Sequence, residues 1–516
     1  KRAEKVEQVR DMLMKMEQDS LESLELVDAI QRFGLCYHFK DEIQAILHHQ
    51  YLAHKTNGCE GLFEASLRFR LLRQHGCQVI ADDFFGQFLR DGELKVRGSL
   101  VGETMGVVAM HEASHLNMGG EDILYEAAKL SSQWLNSEAV TRHDDEEFTK
   151  MVNHCLSNPQ HKTVAGFAAR NIYLQFEDAG KNHALRELAD LEFAYIESLH
   201  KHEILRVVEW WNGVRVSEEV KSSRNEPLKW HVWSMAIIRN PSWSKHRILL
   251  TKPISLVYAV DDIFDLHGIG TIHDLTHFTQ AVKRWDVSAS AELPSYMKTW
   301  CNAIYNTTDE ISSFIYREHG WDPIHFLKKE WGNLMDAFLV EAKWLRSGEL
   351  VKAEEYLKNG VISSGVPMVL SHLFFLMGNP LTNQTHILLN DPNGLTHSVA
   401  KLLRLLDDFG SAKDENQNGY DGSYTECYIK EGKAESWEGA REHVMNIVEE
   451  TWENINKHAL SCSSPTFSPC FARACLNAAR MVPTMYSYGQ DHSLPLLQHY
   501  VRSMFRDPTF AKSLLG

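Results

Sequence analysis

The stretch LEFAYIESLHKHEILRVVEWW at residues 191–211 determines the fold class, because its apolar side chains recur at helical spacing. The stretch HSVAKLLRLLDDFGSA at residues 397–412 repeats this pattern with one apolar stripe. Only 14 prolines and 30 glycines interrupt the 516 residues, and no segment shows sustained strand alternation. The sequence therefore predicts an all-α protein.

The length of the chain allows two or three domains, at roughly 150 residues per domain. Composition marks no boundary between them, and the helical stripe that starts near residue 190 is the best guide. We predict an N-terminal helical domain over residues 1–185 and a C-terminal domain over residues 186–516.

The acidic residues outnumber Lys and Arg by 69 to 53, and the formal net charge is −16. Nucleic acids and anionic membranes would repel such a chain, so neither is expected as a partner. No apolar run is expected to cross a bilayer. The nine cysteines include no C-x-x-C pair, which favours reduced thiols. Because the chain opens with Lys1 and no signal peptide, any targeting segment is expected upstream.

The motif HEASH at residues 111–115 fits the H-E-x-x-H pattern of zinc proteases. On a helix, His111 and His115 would lie one turn apart and bind Zn²⁺, while Glu112 would deprotonate the metal-bound water. A third ligand is required, and nothing nearby offers one in a known spacing. A chance match is unsurprising among 27 histidines, so the zinc protease is kept only as a remote alternative.

An acidic cluster, DDIFD at residues 261–265, follows an apolar run. On a helix, Asp261 and Asp265 share one face and repel each other unless a cation compensates. Mg²⁺ prefers such oxygen ligands and often bridges to phosphate. Asp262 points elsewhere, to a neighbouring group rather than to the metal. The alternative interpretation is a solvated acidic helix end.

The stretch LLRLLDDFGSAKDENQ at residues 402–417 carries a second set of oxygen ligands. Asp407, Ser411 and Glu415 follow at intervals of four residues, so they share one face over two helical turns. Arg404 lies about one turn earlier on that face. An arginine beside metal ligands makes sense if the metals carry an anion such as diphosphate.

Together these clusters resemble the paired metal motifs of class I plant terpene synthases. DDIFD looks like the aspartate-rich motif, and DDFGSAKDE is similar to the second motif, (N/D)-D-x-x-(S/T)-x-x-x-E, at every fixed position. RNEPLKWHVW (224–233), GEDILYEA (120–127) and ISSGVP (362–367) resemble further family segments. The resemblance covers nearly the whole chain. It implies a non-catalytic, α-barrel-like N-terminal domain and a C-terminal catalytic α-bundle that contains the active site.

The resemblance also implies a cofactor of three Mg²⁺ ions, for which Mn²⁺ substitutes, and a prenyl diphosphate substrate. Asp261 and Asp265 would hold two ions, and the third would be held by Asp407, Ser411 and Glu415. The diphosphate would be bound through these metal sites and by two arginines, Arg224 and Arg404. We expect the enzyme to be a monomer.

Other matches concern the pocket wall and its cover. Trp233 matches a position whose π-face stabilises a carbocation, whereas Trp230 is expected in the core. Tyr486 and Asp491 match the loop that closes over the site, with an ordinary surface turn as the alternative. ISSGVP matches a kinked helix that turns carbonyl groups to the cavity, with a plain packing kink as the alternative.

The segment SRNEP departs from the R-D-R of cyclising members, because Glu226 replaces the second arginine. This departure resembles the subfamily that makes acyclic alcohols such as linalool and nerolidol. Ring closure needs the diphosphate held beside the cation until it recombines at C3, and a weaker hold lets water add first. We expect an acyclic tertiary alcohol, with an acyclic olefin (myrcene or ocimene) or a cyclic monoterpene as alternatives.

Substrate length is the weakest signal. We favour geranyl diphosphate, which fits a plastid enzyme whose transit peptide is gone, over farnesyl diphosphate, which fits a cytosolic one. The family's R-R-x₈-W motif would lie upstream of Lys1. Three rival classes fit less well: a prenyl-elongating synthase carries two D-D-x-x-D copies, a class II cyclase needs D-x-D-D, and a helical scaffold needs no polar residues in register.

Overall fold

The computed structural model describes most of the chain and is built from α-helices, which confirms the predicted all-α class. The only strands among the described residues are the two-residue β1 (Leu89–Arg90) and β2 (Glu93–Leu94), which pair antiparallel. The described residues are 1–57, 59, 61–90, 92–95, 99–164, 183–214, 224–265, 271–286, 292–348, 351–411, 423–461, 467–487, 494–507 and 510.

The chain divides into two compact units. The N-terminal unit comprises Lys1–Glu197, Asn456–Pro465 and Arg502–Arg506, and the C-terminal unit comprises Ser198–Ile455, Thr466–Val501 and Asp507–Gly516. The predicted boundary at residue 185 stays a prediction.

The described helices of the N-terminal unit are α1 (Arg2–Lys15), α2 (Leu21–Arg32), α3 (Lys40–Asn57), α4 (Leu62–Gln74), α5 (Ala81–Phe85), α6 (Leu100–Ser114), α7 (Asp122–Leu135), α8 (Glu138–Thr141), α9 (Glu146–Ser157) and the first half of α10 (His183–Val214), with 3₁₀ turns at Cys36–His38 and Gln160–Lys162. Helix α4 is almost entirely buried and packs against α6. Its buried guanidinium groups are compensated, because Arg70 pairs with Asp28 and Arg73 donates to Glu121.

The C-terminal unit continues with α11 (Pro227–Ile237), α12 (Ser244–Asp265), α13 (Ile272–Arg284), α14 (Ser295–His319), α15 (Ile324–Ser347), α16 (Ala353–Ser363), α17 (Val366–Leu376), α18 (Thr385–Leu389), α19 (Leu395–Ser411), α20 (Tyr424–Lys430), α21 (Trp437–Leu460), α22 (Pro469–Tyr486) and α23 (Pro495–Met504), with a 3₁₀ turn at Pro241–Trp243. The last turns of α21 and α23 belong to the N-terminal unit. Both predicted helical stretches are confirmed, as α10 and α19. Helix α19 packs against α22, α16 and α17. The side of α19 that faces the site carries both apolar and charged residues, namely Val399, Leu403, Arg404 and Asp407.

One stretch of the described chain, Ala353–Leu376, is long and apolar enough by length and composition to cross a membrane. The stretch is not an uninterrupted apolar run, because it contains Glu354, Lys358 and Asn359, so the expectation that no uninterrupted apolar run crosses a bilayer stays a prediction. In the structure this stretch is two helices, α16 and α17, and most of its apolar part is buried inside the protein, as in a core helix.

Candidate active site

A cavity of about 1130 Å³, counting its open mouth, lies in the C-terminal unit. Its apolar wall comes from α11, α12, α17, α19 and α22, and its polar lining includes Arg224, Glu226, Lys229, Asp261, Arg404 and Asp407. Asp261 of the first acidic motif and Asp407 of the second therefore line the same cavity.

Asp261 and Asp262 hold Arg224, which precedes α11, at the end of α12. The guanidinium of Arg224 donates to Asp261 through Nη2 and to Asp262 through Nε, and its backbone N–H donates to Asp262 at 2.7 Å. Burial lowers the pKa of Arg224, but the two carboxylates outweigh it and raise that pKa. The neighbouring group that Asp262 contacts is Arg224, and its predicted role beside the metal ligands stays a prediction.

Asn225, next to this arginine, is anchored separately. The indole N–H of Trp211 donates to its side-chain oxygen at 2.8 Å, and Trp211 is fully buried. Residues 224–226, which we call the arginine loop, are thus held by two helices. Trp211 of α10 binds Asn225, and Asp261 and Asp262 of α12 bind Arg224.

Arg404 on α19 is held by two carboxylates on its own helix. Its Nη2 donates to Asp407 at 2.9 Å and lies 2.6 Å from Asp408. Asp408, which the sequence analysis did not predict as a site residue, is only 3% exposed. It also accepts hydrogen bonds from the Tyr356 hydroxyl at 3.1 Å and from the Tyr424 backbone N–H at 2.9 Å. Asp408 thus positions Arg404, and the D-D doublet was the signal for it.

Gly360 on α16 leaves the space that the Arg404 side chain occupies. A Cβ at this position would lie 2.8 Å from Cδ of Arg404, so any larger residue would displace that side chain. The Nε of Arg404 is buried without a hydrogen-bond partner. A buried donor without a partner is rare in native structures, and a bound ligand or an ordered water would satisfy it.

The electrostatics of the two carboxylates fit a divalent metal. Burial raises the pKa of Asp407 to about 6, with added repulsion from Asp408 and Asp261, although Arg404 and Arg224 oppose the shift. Hard oxygen ligands that repel one another across a cavity are relieved by a cation such as Mg²⁺.

The structure does not carry the whole predicted metal set. Asp265 is the last residue of α12 and Ser411 the last of α19, consistent with their spacing, but their side chains are not among those described. Glu415 and Asp491 lie outside the described residues.

Aromatic side chains form one side of the cavity. The Trp233 indole donates to the Tyr258 hydroxyl at 3.3 Å, which lies 3.3 Å from the Tyr486 hydroxyl. Tyr486 and Trp233 both line the cavity, with ring centroids 6.3 Å apart. Trp230 is fully buried and stacks on Tyr258 from behind, as its expected core role requires.

The kink predicted in ISSGVP is present, since α16 ends at Ser363 and α17 begins at Val366. Gly365 has φ of 72°, and a Cβ there would lie 2.6 Å from Cγ1 of Val257 in the cavity wall. Only glycine fits this turn without strain.

Gly365→Ala is therefore expected to destabilise the protein by about 1–3 kcal/mol and to push Val257 into the cavity. Urea unfolding and kcat would measure both effects. Gly213→Ala, at a helical position with nothing within 4 Å of the added Cβ, is the control and should lose no stability. A Gly365→Ala protein as stable as the wild type would contradict this account of the turn.

Among the described residues, HEASH lacks the arrangement of a zinc protease site. His111 and His115 do approach each other, with Nε2 atoms 3.4 Å apart, but Glu112 turns away and accepts from the backbone N–H of Gln160 at 2.7 Å. Within the described chain, no third His, Cys, Asp or Glu joins the pair in a ligand group. Burial lowers the pKa of His111 to about 4, so the pair packs as neutral rings.

Comparison with known proteins identifies the family. Residues 1–156 match the terpene synthase N-terminal domain, and residues 212–454 match the metal-binding domain of the terpene synthase family. The chain is 41% identical to an (E)-nerolidol synthase of Cannabis sativa over 97% of its own length and 91% of that protein. The chain belongs to the terpene synthase family.

A second relative of this terpene synthase is the chloroplastic S-(+)-linalool synthase of Arabidopsis thaliana, which is 40% identical over 94% of the chain and 84% of that protein. Other relatives at 40–41% identity are named for different reactions. Among solved structures, isoprene synthase from Populus x canescens superposes with a TM-score of 0.89 at 30% identity, over 98% of this chain and 97% of that one.

That isoprene synthase structure contains three Mg²⁺ ions and dimethylallyl-S-thiolodiphosphate. Together with the matched metal-binding domain, it supports a divalent metal cofactor and a lyase that acts on prenyl diphosphates. A zinc protease at HEASH gains no support from either the geometry or the family.

Proposed function

We propose that this terpene synthase ionises geranyl diphosphate and adds water at C3 of the allylic cation to release linalool. The C–O electron pair leaves with the diphosphate, and the proton of the adding water is taken up by the released diphosphate or the solvent. Farnesyl diphosphate would yield nerolidol by the same steps. One observation carries the proposal: an apolar, aromatic cavity is lined by Arg224, Asp261, Arg404 and Asp407, with the acid Glu226 among them.

The charged residues would have two roles in the release of the diphosphate, metal binding and direct contact with the diphosphate. Magnesium ions held by Asp261, Asp265, Asp407, Ser411 and Glu415 would neutralise the charge that develops on the leaving group. Arg224 and Arg404 would bind the diphosphate oxygens, and Asp262 and Asp408 hold those arginines in place. Because Arg224 now pairs with Asp261, it turns to the diphosphate only when another cation compensates that carboxylate.

The aromatic wall would protect the cation after ionisation. Trp233 presents a π-face that stabilises positive charge, and the Tyr258 and Tyr486 hydroxyls are the polar groups near it. Tyr486 and Asp491 would close the mouth and exclude bulk water, so that only a water admitted to the cavity reaches the cation. The enzyme would work as a monomer.

The acyclic product follows from the charge at the loop. Glu226 is 44% exposed at its side chain and lies in the cavity lining, where other members place a guanidinium. A carboxylate there weakens the hold on the diphosphate and favours water capture over recombination at C3. The names of the nerolidol and linalool synthases among the relatives support this choice.

A cyclic monoterpene or an acyclic olefin remains the second candidate. Relatives of equal identity are named for other products, including tricyclene. Product identity therefore depends on the loop and the wall of this chain rather than on overall similarity.

Substrate length is tested by comparing kcat/KM for geranyl and farnesyl diphosphate with Mg²⁺ present. We expect geranyl diphosphate to be preferred, which would fit a plastid enzyme; the chloroplastic linalool synthase supports this location. A higher kcat/KM for farnesyl diphosphate would make the protein a nerolidol synthase and favour the cytosol.

Glu226→Arg is expected to raise the share of cyclic products from geranyl diphosphate, because a second guanidinium would hold the diphosphate beside the cation. Chiral gas chromatography of the products measures the ratio. Glu226→Gln is the control, since it removes the negative charge without adding a positive one, and should shift the ratio less. An unchanged ratio in Glu226→Arg would show that the cavity wall, not this loop, sets the product.

A further inference from the structure

Lys229 is a cavity-lining cation that none of the motifs accounts for. It lies in the first turn of α11, and its Nζ donates to Glu226 at 3.2 Å. Along the described cavity lining, the other cations are Arg224 and Arg404. Each of these two is held by at least one carboxylate of a metal motif, whereas the partner of Lys229 belongs to no such motif.

The position of Lys229 on its helix directs it to the site. Lys229, Trp233 and Ile237 follow at intervals of four residues and all line the cavity, so they form one stripe on α11. The stripe begins with an ammonium group and continues with the aromatic and aliphatic wall. A substrate with a charged head and an apolar tail matches this order.

The ion pair that holds Lys229 is weak. Its side chain is 27% exposed and that of Glu226 is 44% exposed, and pairs of this kind are worth about 0–1 kcal/mol. The ammonium can therefore exchange one anion for another at little cost. The two arginines would have to break more ion pairs to bind another anion. The Nη2 of Arg404 contacts two carboxylates, and Arg224 contacts two others.

We propose that Lys229 binds the diphosphate of the substrate as the second cation of the arginine loop, and that Glu226 holds it at the cavity rim until the diphosphate arrives. This inference rests on the proposed function, because it names a further contact to the same leaving group. It also changes the account of Glu226, which acts on the diphosphate through Lys229 as well as by its own charge.

The test measures binding of inorganic diphosphate in the presence of Mg²⁺ by calorimetry, which needs no turnover. Lys229→Met should weaken binding by about tenfold or more, since a charge-assisted hydrogen bond is lost. Lys229→Arg should retain binding within a few-fold. Lys245→Met removes the same charge from an exposed position at the start of α12 and should leave binding unchanged.

A double-mutant cycle separates the two roles of Glu226. Glu226→Gln should tighten diphosphate binding in the wild-type background, because Lys229 is released. The gain should be smaller in the Lys229→Met background if Glu226 acts through Lys229. An equal gain in both backgrounds would contradict that link, and the carboxylate would then act by repulsion alone.

The outcomes also separate this inference from the proposed function. If the wild-type protein fails to bind inorganic diphosphate with Mg²⁺, the proposed function is wrong. If the wild type binds and folded Lys229→Met binds equally well, the assignment of Lys229 is overturned while the proposed function stands. Thermal unfolding of each variant establishes that it is folded.

Discussion

Asp261→Ala is expected to lower kcat/KM for geranyl diphosphate by about a thousandfold or more, because a metal-binding carboxylate stabilises charge on the leaving group. Asp265→Ala and Glu415→Ala should cause losses of the same order. The stability of the metal-free protein should change little. Asp261 is 31% exposed and its pair with Arg224 is worth about 0–1 kcal/mol at such a site.

The structure modifies one part of this expectation. From the sequence, removing Asp261 relieves repulsion between two carboxylates and could even stabilise the apo protein. In the structure Arg224 already compensates Asp261, so no such gain is expected.

Steady-state kinetics at saturating Mg²⁺ and thermal unfolding together measure these effects. Asp309→Ala, on the exposed side of α14, is the matched control and should keep full activity. Near-normal turnover of Asp261→Ala with a native-like melting curve would show that the metal site is wrongly assigned.

Arg247→Met is expected to produce the largest loss of stability, about 3–5 kcal/mol, since it removes the cation that compensates the buried carboxylate of Glu203. Arg247 and Glu203 are both fully buried, and the guanidinium donates to both carboxylate oxygens of Glu203. Burial raises the pKa of Glu203, but hydrogen bonds from His200, His231 and Arg247 outweigh it and keep the carboxylate ionised.

His200, Glu203 and His231 are spaced closely enough to hold a metal. The guanidinium of Arg247 already supplies their cation, so we interpret the group as structural.

Urea unfolding of Arg247→Met and Glu203→Gln/Arg247→Met distinguishes the cause of the loss. The double variant should recover part of the stability, because the carboxylate that needed compensation is gone. Arg206→Met, which breaks the exposed pair with Glu209, serves as control and should change stability by less than about 1 kcal/mol. If Arg247→Met lost less than about 1 kcal/mol of stability, the interpretation of Glu203 as a buried, charged carboxylate would be contradicted.

Periodicity was enough to predict the helices that carry the site. The apolar stripes of α10 and α19 are regular, and spacing of four residues places Asp261 with Asp265 and Asp407 with Ser411 by helix geometry alone. The ISSGVP break was also visible locally, because glycine tolerates the left-handed turn that Gly365 adopts.

Contacts between distant segments could not be predicted this way. Asp262 holds Arg224 from 38 residues away, and Tyr356 and Tyr424 reach Asp408 from other helices. Gly360 looks like an ordinary helical glycine until Arg404 is placed against it. HEASH shows the opposite failure, since a local match to a metal motif says nothing about where Glu112 turns in the fold.

Isotope labelling shows directly whether water captures an allylic cation after the C–O bond breaks. The purified protein is incubated with geranyl diphosphate and Mg²⁺ in H₂¹⁸O, and the products are identified by mass spectrometry. Our account predicts linalool as the main product, with ¹⁸O on C3. Unlabelled geraniol would indicate hydrolysis at phosphorus, and a cyclic hydrocarbon as the main product would show that ring closure outruns water; either result would contradict the account.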